Sequence, residues 1–203
     1  MHHKHERMFH HHHAQKLDDP ERRKWLPEKD VLDRLGLSPD MVVADIGAGT
    51  GYFALPIARV VSRVIAVDMQ PEMLEILRSR VGDLPIEPVV GEATATHVKD
   101  AAVDVVLFAN VWHELDDHAA ALAEMARILR VGGRVAILDW RPDVDPISGP
   151  PLDHRIAPEK IEAQLREREW RVESSAQVGA YHQLIIAARS RGSKIRIIET
   201  RTR

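Results

Sequence analysis

The chain contains no cysteine. That excludes disulfides, a thiolate nucleophile and any cysteine-ligated metal. No apolar run approaches the roughly 18 residues that a membrane-crossing helix needs, and no signal-peptide pattern precedes the fold, so a cytoplasmic location is expected. A basic excess is also missing: 28 Lys and Arg face 31 Asp and Glu, for a net charge of −3. That charge is unevenly spread. From Arg189 onward six bases stand against Glu199, a local +5 that leaves −8 for the rest. An acidic body argues against a nucleic-acid-coating surface, and the basic end reads as a solvated chain terminus.

What is present suits one domain of ordinary size: 203 residues, 44% of them apolar and 29% charged. Seven of the twelve histidines crowd into residues 1–13, as His2, His3, His5 and His10 to His13. Such a tract has adventitious affinity for transition metals, but no carboxylate partner is placed beside it, so no metal site is expected.

The stretch that organises the chain is Val42-Val43-Ala44-Asp45-Ile46-Gly47-Ala48-Gly49-Thr50-Gly51-Tyr52-Phe53. It reads as a buried strand, a turn whose glycines allow close approach of a ligand, and a helix start. Before it, Asp19-Pro20 opens a short helix with Trp25 and Leu26 on its buried side. Pro27 opens a second one carrying Val31, Leu32 and Leu35, which Gly36 closes. After it the pattern alternates: helix 52–61, strand 64–67 ending at Asp68, helix 71–81, strand 87–90 ending in Gly91-Glu92-Ala93, and strand 103–109 ending at Asn110. Asp116 or Asp117 caps helix 118–130, whose end is Gly132-Gly133, and strand 134–138 runs into Asp139-Trp140.

Apolar strands alternating with helices mean a parallel sheet covered on both faces. A Pro/Gly-rich loop, Pro142 to Pro151, breaks the rhythm before helix 158–168. The final runs 171–178 and 181–188 are separated only by Gly179-Ala180, a link that permits a hairpin but no parallel crossover, so the last strand is expected to be antiparallel.

Open α/β sheets bind ligands beyond the carboxyl ends of their strands. Asp45, Asp68, Glu92, Asn110 and Asp139 all sit at such ends. A phosphate-binding P-loop is excluded, because Tyr52 follows Gly51 where Lys is required. A dinucleotide fold wants G-x-G-x-x-G, whereas this chain has G-x-G-x-G preceded by Asp45. That carboxylate repels a pyrophosphate and suits a ligand bearing an ammonium group. Asp68 is placed to accept ribose hydroxyls.

Asp45-Ile-Gly-Ala-Gly-Thr-Gly resembles the first motif of the class I S-adenosylmethionine-dependent methyltransferases. Val67-Asp68 resembles their ribose-binding acid, Gly91-Glu92-Ala93 the turn beside the adenine, Val103 to Asn110 the fourth-strand motif, and Leu129 to Arg134 the turn before the fifth strand. Leu17-Asp18-Asp19-Pro20-x-Arg22 and Trp112-His113-Glu114-Leu115 are similar to the small-molecule branch related to quinone-biosynthesis and arsenite methyltransferases, although arsenite methylation relies on cysteines that this chain lacks. The resemblance implies a doubly wound, mostly parallel seven-stranded Rossmann-like sheet with a final antiparallel strand. It divides the chain into a His-rich segment and lid at 1–27, a methyltransferase domain at 28–188 and a basic tail at 189–203.

It also implies S-adenosylmethionine held by Asp45, Gly47, Ala48, Gly49, Gly51, Asp68, Met69, Glu92, Ala93 and Asn110. The expected partner is a small-molecule acceptor, with no nucleic acid. Methyl transfer from a sulfonium is an in-line displacement, so the protein has to align the reactants and exclude water. A base helps where the acceptor carries a proton, and His113 is the first candidate; Asp139 is the second candidate catalytic residue and, with Trp140, an expected pocket wall. His154, Phe9 and Leu17 are candidate lid residues. Two other readings stay open at this stage: an NAD(P)-binding oxidoreductase, and a protein that binds the methyl donor without catalysis.

Overall fold

A computed structural model describes residues 19, 21–144 and 149–189. Its elements in chain order are α1 (Arg22–Trp25), α2 (Glu28–Leu35), β1 (Val42–Ile46), α3 (Ala54–Ile57), β2 (Arg63–Asp68), α4 (Pro71–Val81), β3 (Ile86–Val90), β4 (Val103–Ala109), α5 (His118–Ile128), β5 (Leu129–Trp140), α6 (Pro158–Glu167), β6 (Trp170–Val178) and β7 (His182–Arg189). Single 3-10 turns lie at Trp112–Glu114 and Leu152–His154.

One seven-stranded sheet runs in the order β3-β2-β1-β4-β5-β7-β6. Neighbours from β3 to β5 pair in parallel, while β7 is antiparallel to both β5 and β6. The expected architecture is therefore the observed one. The order reverses between β1 and β4, because β2 and β3 wind to one side and the later strands to the other. Such a switch point opens a crevice at the strand ends.

Alternate residues of the central strands face opposite layers, as the two-residue strand period demands. Ala44, Val106, Phe108, Val135, Ile137 and Ile185 face the layer holding Leu122, Met125, Ile161 and Leu165 of α5 and α6. Val43, Val105, Leu107, Ala136, Leu138 and Ile186 face Val31, Leu35, Ile57, Leu74 and Leu77 of α2, α3 and α4. Burial on both faces explains why these strands read as continuous apolar runs.

Several boundaries differ from expectation. The helix expected over 52–61 is the single turn α3. Pro56 has no N–H to donate to the preceding turn, and the chain continues in turns, with Arg59 N donating to the Pro56 carbonyl and Val60 N to that of Ile57. The helix expected over 118–130 ends at Ile128, and Gly132-Gly133 lies inside β5 rather than at a helix end. Leu129 is buried and pairs with Val103, and the register shifts between Val103 and Val105 to absorb the extra chain. Asp117 is the residue that caps α5, accepting from Ala120 N at 2.9 Å. Arg189, counted with the basic tail, ends β7 and donates to the Ala126 carbonyl. The His-rich tract, Phe9, Leu17 and the rest of the basic tail lie outside the described residues.

Candidate active site

A cavity of about 860 Å³ opens at the carboxyl ends of β1, β2, β3, β4 and β5. Asp45, Gly47, Ala48, Gly49, Asp68, Met69, Glu92, Ala93, Asn110 and His113 all line it. Gly51 and Asp139 do not.

The glycine turn is clamped to β2. Gly47 N and Ala48 N both donate to the Val67 carbonyl, at 2.8 and 3.0 Å. Gly49 N donates to Asp68 Oδ2 at 2.8 Å, and Gln70 N to Oδ1 at 2.9 Å. Gly47 has φ +71°, and a Cβ there would stand 2.4 Å from Val111 Cγ2, so only glycine fits. Gly51 has φ +95° and a different reason: a Cβ would meet Leu77 Cδ1 at 2.5 Å. The third glycine thus seats the turn on α4, outside the cavity wall.

Two carboxylates share this side. Asp45 is pushed up to about 7, first by burial and then by the charge of Asp68, against the pull of the Ala54 backbone and Arg22. Asp68 is raised by burial, with the backbone N–H groups of Gln70, Gly49 and Met69 opposing. A buried carboxylate beside another is a site that a bound cation relieves.

The β4–β5 side is assembled differently. Asn110 takes the left-handed conformation at φ +60°, its N donating to the Leu138 carbonyl, and the chain turns sharply into Trp112–Glu114. This brings His113 over the end of β5. Its Nδ1 lies 2.7 Å from Asp139 Oδ1, and its backbone N donates to Oδ2 at 2.9 Å. Trp140 N also donates to Oδ1. Both side chains are buried, His113 at 6% exposure and Asp139 at 2%. Burial disfavours the charged imidazole, but the charge and hydrogen bond of Asp139, with help from Glu114, outweigh it, so His113 stands above the usual imidazole value. Asp139, expected as a pocket wall, instead stands behind His113. Held by a carboxylate at Nδ1, the neutral ring leaves Nε2 as the acceptor.

Among the other lining residues, Arg22 and Trp25 had no role in the site expected from the sequence, while Trp140 had been expected as a pocket wall. Arg22 is 6% exposed, and its guanidinium lies 4.0 Å from the Tyr52 ring centroid. Trp25 and Trp140 both line the cavity and form a triangle of rings with His182, their centroids 5.7 and 4.3 Å from it and 5.4 Å from each other. His182 is fully buried and held down to about 3 by burial, with no hydrogen bond at either ring nitrogen among the described residues. Gly149, Pro150, Pro151 and His154 of the Pro/Gly-rich loop complete the wall, as expected for a loop over the site. Arg155 ties that loop down by donating to the carbonyls of Pro150, Arg141 and Val144. Arg22 lay within the Leu17-to-Arg22 segment, but its partner Tyr52 is thirty residues away in sequence. His182 carried no signal at all.

Residues 44–137 match the family described as a methyltransferase domain. An uncharacterized methyltransferase of Mycobacterium bovis is 35% identical over 141 residues, covering 63% of this chain and 57% of its own length. A demethylmenaquinone methyltransferase of Renibacterium salmoninarum is 31% identical over 118 residues, covering 58% and 48%. The chain thus spans about half the length of the curated relatives it matches. The crystal structure of a SAM-dependent methyltransferase from Aquifex aeolicus superposes with a TM-score of 0.85 at 28% identity, covering 90% of this chain and all of that one.

Proposed function

We propose that this chain, whose residues 44–137 form a methyltransferase domain of the class I S-adenosylmethionine-dependent type, transfers a methyl group to a small-molecule acceptor bound in the β4–β5 half of the cavity. The observation that carries the reading is the placement of Asp45, the Gly47–Gly49 turn, Asp68 and His113 around one cavity.

The residues present fit the methyl donor. Asp45, disfavoured as an anion by burial and by Asp68, gains a counter-charge from an α-ammonium group. Asn110 Oδ1 is buried with no partner among the described residues, an acceptor waiting for a donor. Asp45, Gly47, Ala48 and Gly49 would hold the amino-acid end, Asp68 and Met69 the ribose, Glu92 and Ala93 the adenine, and Asn110 the segment between. Gly51 supports this turn from outside through Leu77. When bound, the donor supplies a sulfonium-activated methyl group.

The chain's own contribution is to orient, to exclude water and to move a proton. The Gly149–Pro151 wall and the two tryptophans cover the β5 end. His113 Nε2 accepts the acceptor's proton, while Asp139 fixes the ring and stabilises the charge that develops on it. Support for the branch containing quinone-biosynthesis enzymes comes from the similarity to the demethylmenaquinone methyltransferase and from the segment around His113. The glycine spacing and Asp45 leave the NAD(P) reading without support.

Titration calorimetry with S-adenosylhomocysteine tests this function. Binding on the order of micromolar is expected, with no heat from NAD; the reverse pattern would sink it.

A further inference from the structure

Residues 91–102 join β3 to β4 without a helix, and the part of the cavity wall at Glu92, Ala93 and Thr94 belongs to this connection. Two of its residues hold left-handed backbone without being glycine, His97 at φ +60° and Ala101 at φ +47°. Such a conformation persists only where the surroundings fix it. Here they come from α5. Ala101 N and Ala102 N donate to the Arg127 and Ile128 carbonyls, and Arg127 Nη2 donates to the Val98 carbonyl at 2.7 Å.

The firmest hold is on Thr96, which is fully buried. Glu124 Oε1 accepts from Thr96 N at 2.9 Å and from the Thr96 hydroxyl at 2.6 Å. Arg127 closes the other side of the carboxylate, its Nε and Nη2 each 2.7 Å from a Glu124 oxygen. Burial disfavours the Glu124 anion, but the hydrogen bonds from Arg127 and Thr96 outweigh it and hold the group down to about 2, so the clamp stays ionised near neutrality.

Neither Glu124 nor Thr96 lines the cavity. What they reach is the back of the turn that does. Gly91 packs directly on Thr96, where a Cβ would stand 2.8 Å from the Thr96 carbonyl oxygen. Gly91 N also donates to the Asp68 carbonyl at the end of β2, and the turn closes through Glu92 N to the Ala95 carbonyl at 3.2 Å and Ala95 N to the Glu92 carbonyl at 3.0 Å. The turn thus has two anchored ends, Gly91 on β2 and Thr96 on α5, and its cavity face stands where those ends put it.

We propose that Glu124 is a positioning residue for the methyl donor: by holding Thr96 it sets the 92–95 turn at the distance that the adenine requires. This rests on the methyltransferase reading of the cavity, in which that turn holds the adenine. A flat base depends on a wall at van der Waals contact, and a gap of about 0.5–1 Å forfeits roughly a quarter to a half of each such contact. Loss of the clamp therefore costs base binding, while the amino-acid and ribose contacts at β1 and β2 are left in place.

The test compares two ligands that share the homocysteine and the ribose but differ in the base, S-adenosylhomocysteine and S-ribosylhomocysteine, titrated in a calorimeter into the full chain. The ratio of their dissociation constants measures what the base contributes. Glu124→Ala is expected to shrink that ratio about tenfold, with the affinity for S-ribosylhomocysteine unchanged. Glu124→Gln keeps an amide oxygen for Thr96 and is expected to restore most of the ratio. A merely structural role would weaken both ligands together or neither, and either result overturns the proposal, as does a Glu124→Gln variant that behaves like Glu124→Ala. Should Glu124→Ala fail to fold by circular dichroism, Thr96→Val decides: it removes the hydroxyl at nearly constant volume and is expected to shrink the ratio about threefold, and an unchanged ratio overturns the proposal. If S-adenosylhomocysteine does not bind the unmodified chain, the methyltransferase reading falls. If it binds and the ratio is the same in every variant, only the role of Glu124 falls.

Discussion

On the β1–β3 side of the cavity, polar residues come from short contiguous turns at the ends of successive strands. Asp45 and the glycines are one turn, Asp68 to Gln70 a second, Gly91 to Ala93 a third. On the β4–β5 side, each working group depends on a partner far along the chain. His113 is held by Asp139 across 26 residues, Trp112 Nε1 donates to Gln164 across 52, and Trp25, Trp140 and His182 come together from α1, β5 and β7. The first side is a local device repeated at strand ends, suited to a constant ligand. The second is a convergence of separate elements, each of which can change without disturbing the other.

That contrast predicts separable defects. The largest effect falls on the convergent side: Asp139→Asn removes the carboxylate that orients His113 and should lower kcat by about 10²–10³-fold, with the affinity for S-adenosylhomocysteine unchanged. The wild-type kcat should rise with pH through a value above the ordinary imidazole range, since only the neutral ring accepts a proton and His113 is raised. A stopped methyl transfer accompanied by lost donor binding would blur the two sides into one. Next comes Asp68→Ala, which removes the acceptor of Gly49 N and Gln70 N together with the proposed ribose contact. Donor affinity should drop by roughly 100-fold in calorimetry, about 3 kcal/mol for several lost hydrogen bonds to a charged group.

A third effect concerns stability and belongs to the tryptophan-held histidine. Burial holds His182 down to about 3 in the folded protein, against the ordinary imidazole value of 6.5. Its neutral ring is therefore fully tolerated above pH 6.5, and stability is lost as pH falls from there toward 3, because the unfolded chain takes up a proton that the folded one refuses. At pH 5 the loss is about 2 kcal/mol. Urea unfolding of His182→Phe should lack this part of the slope between pH 7.5 and 5; equal slopes in the two proteins would contradict it. The smallest effect is on donor binding as a function of pH. Asp45 must ionise to meet an ammonium, so affinity should fall by at most about tenfold per pH unit below 7, and Asp45→Asn should flatten the dependence.

Legibility followed the same division. The spacing of Gly47, Gly49 and Gly51 was visible in the chain, but not that Gly47 makes room for Val111 while Gly51 makes room for Leu77. The acids at strand ends were visible because a parallel sheet puts every strand's carboxyl end on one edge. His113 and Asp139 could each be picked out by position, yet nothing in their spacing showed that one stands behind the other. Arg22 could be seen only as part of an N-terminal segment. The short α3 follows from Pro56, which withholds an N–H inside an apolar helical pattern, and Gly132-Gly133 enters β5 because burial of Leu129 against Val103 takes over where local helix signals continue.

The amino-acid sequence by itself determined the alternation of strands and helices, the antiparallel final strand and the acid-bearing glycine turn, because periodicity, turn chemistry and a two-residue link are local constraints. Only the tertiary structure decided that Asp139 orients His113 and that two tryptophans pack on a buried, uncharged histidine. Those facts depend on the parallel pairing of β4 with β5 and the antiparallel pairing of β5 with β7, which bring the carboxyl ends of β4 and β5 and the start of β7 to one edge, where residues distant in the chain lose water together and so set one another's charge.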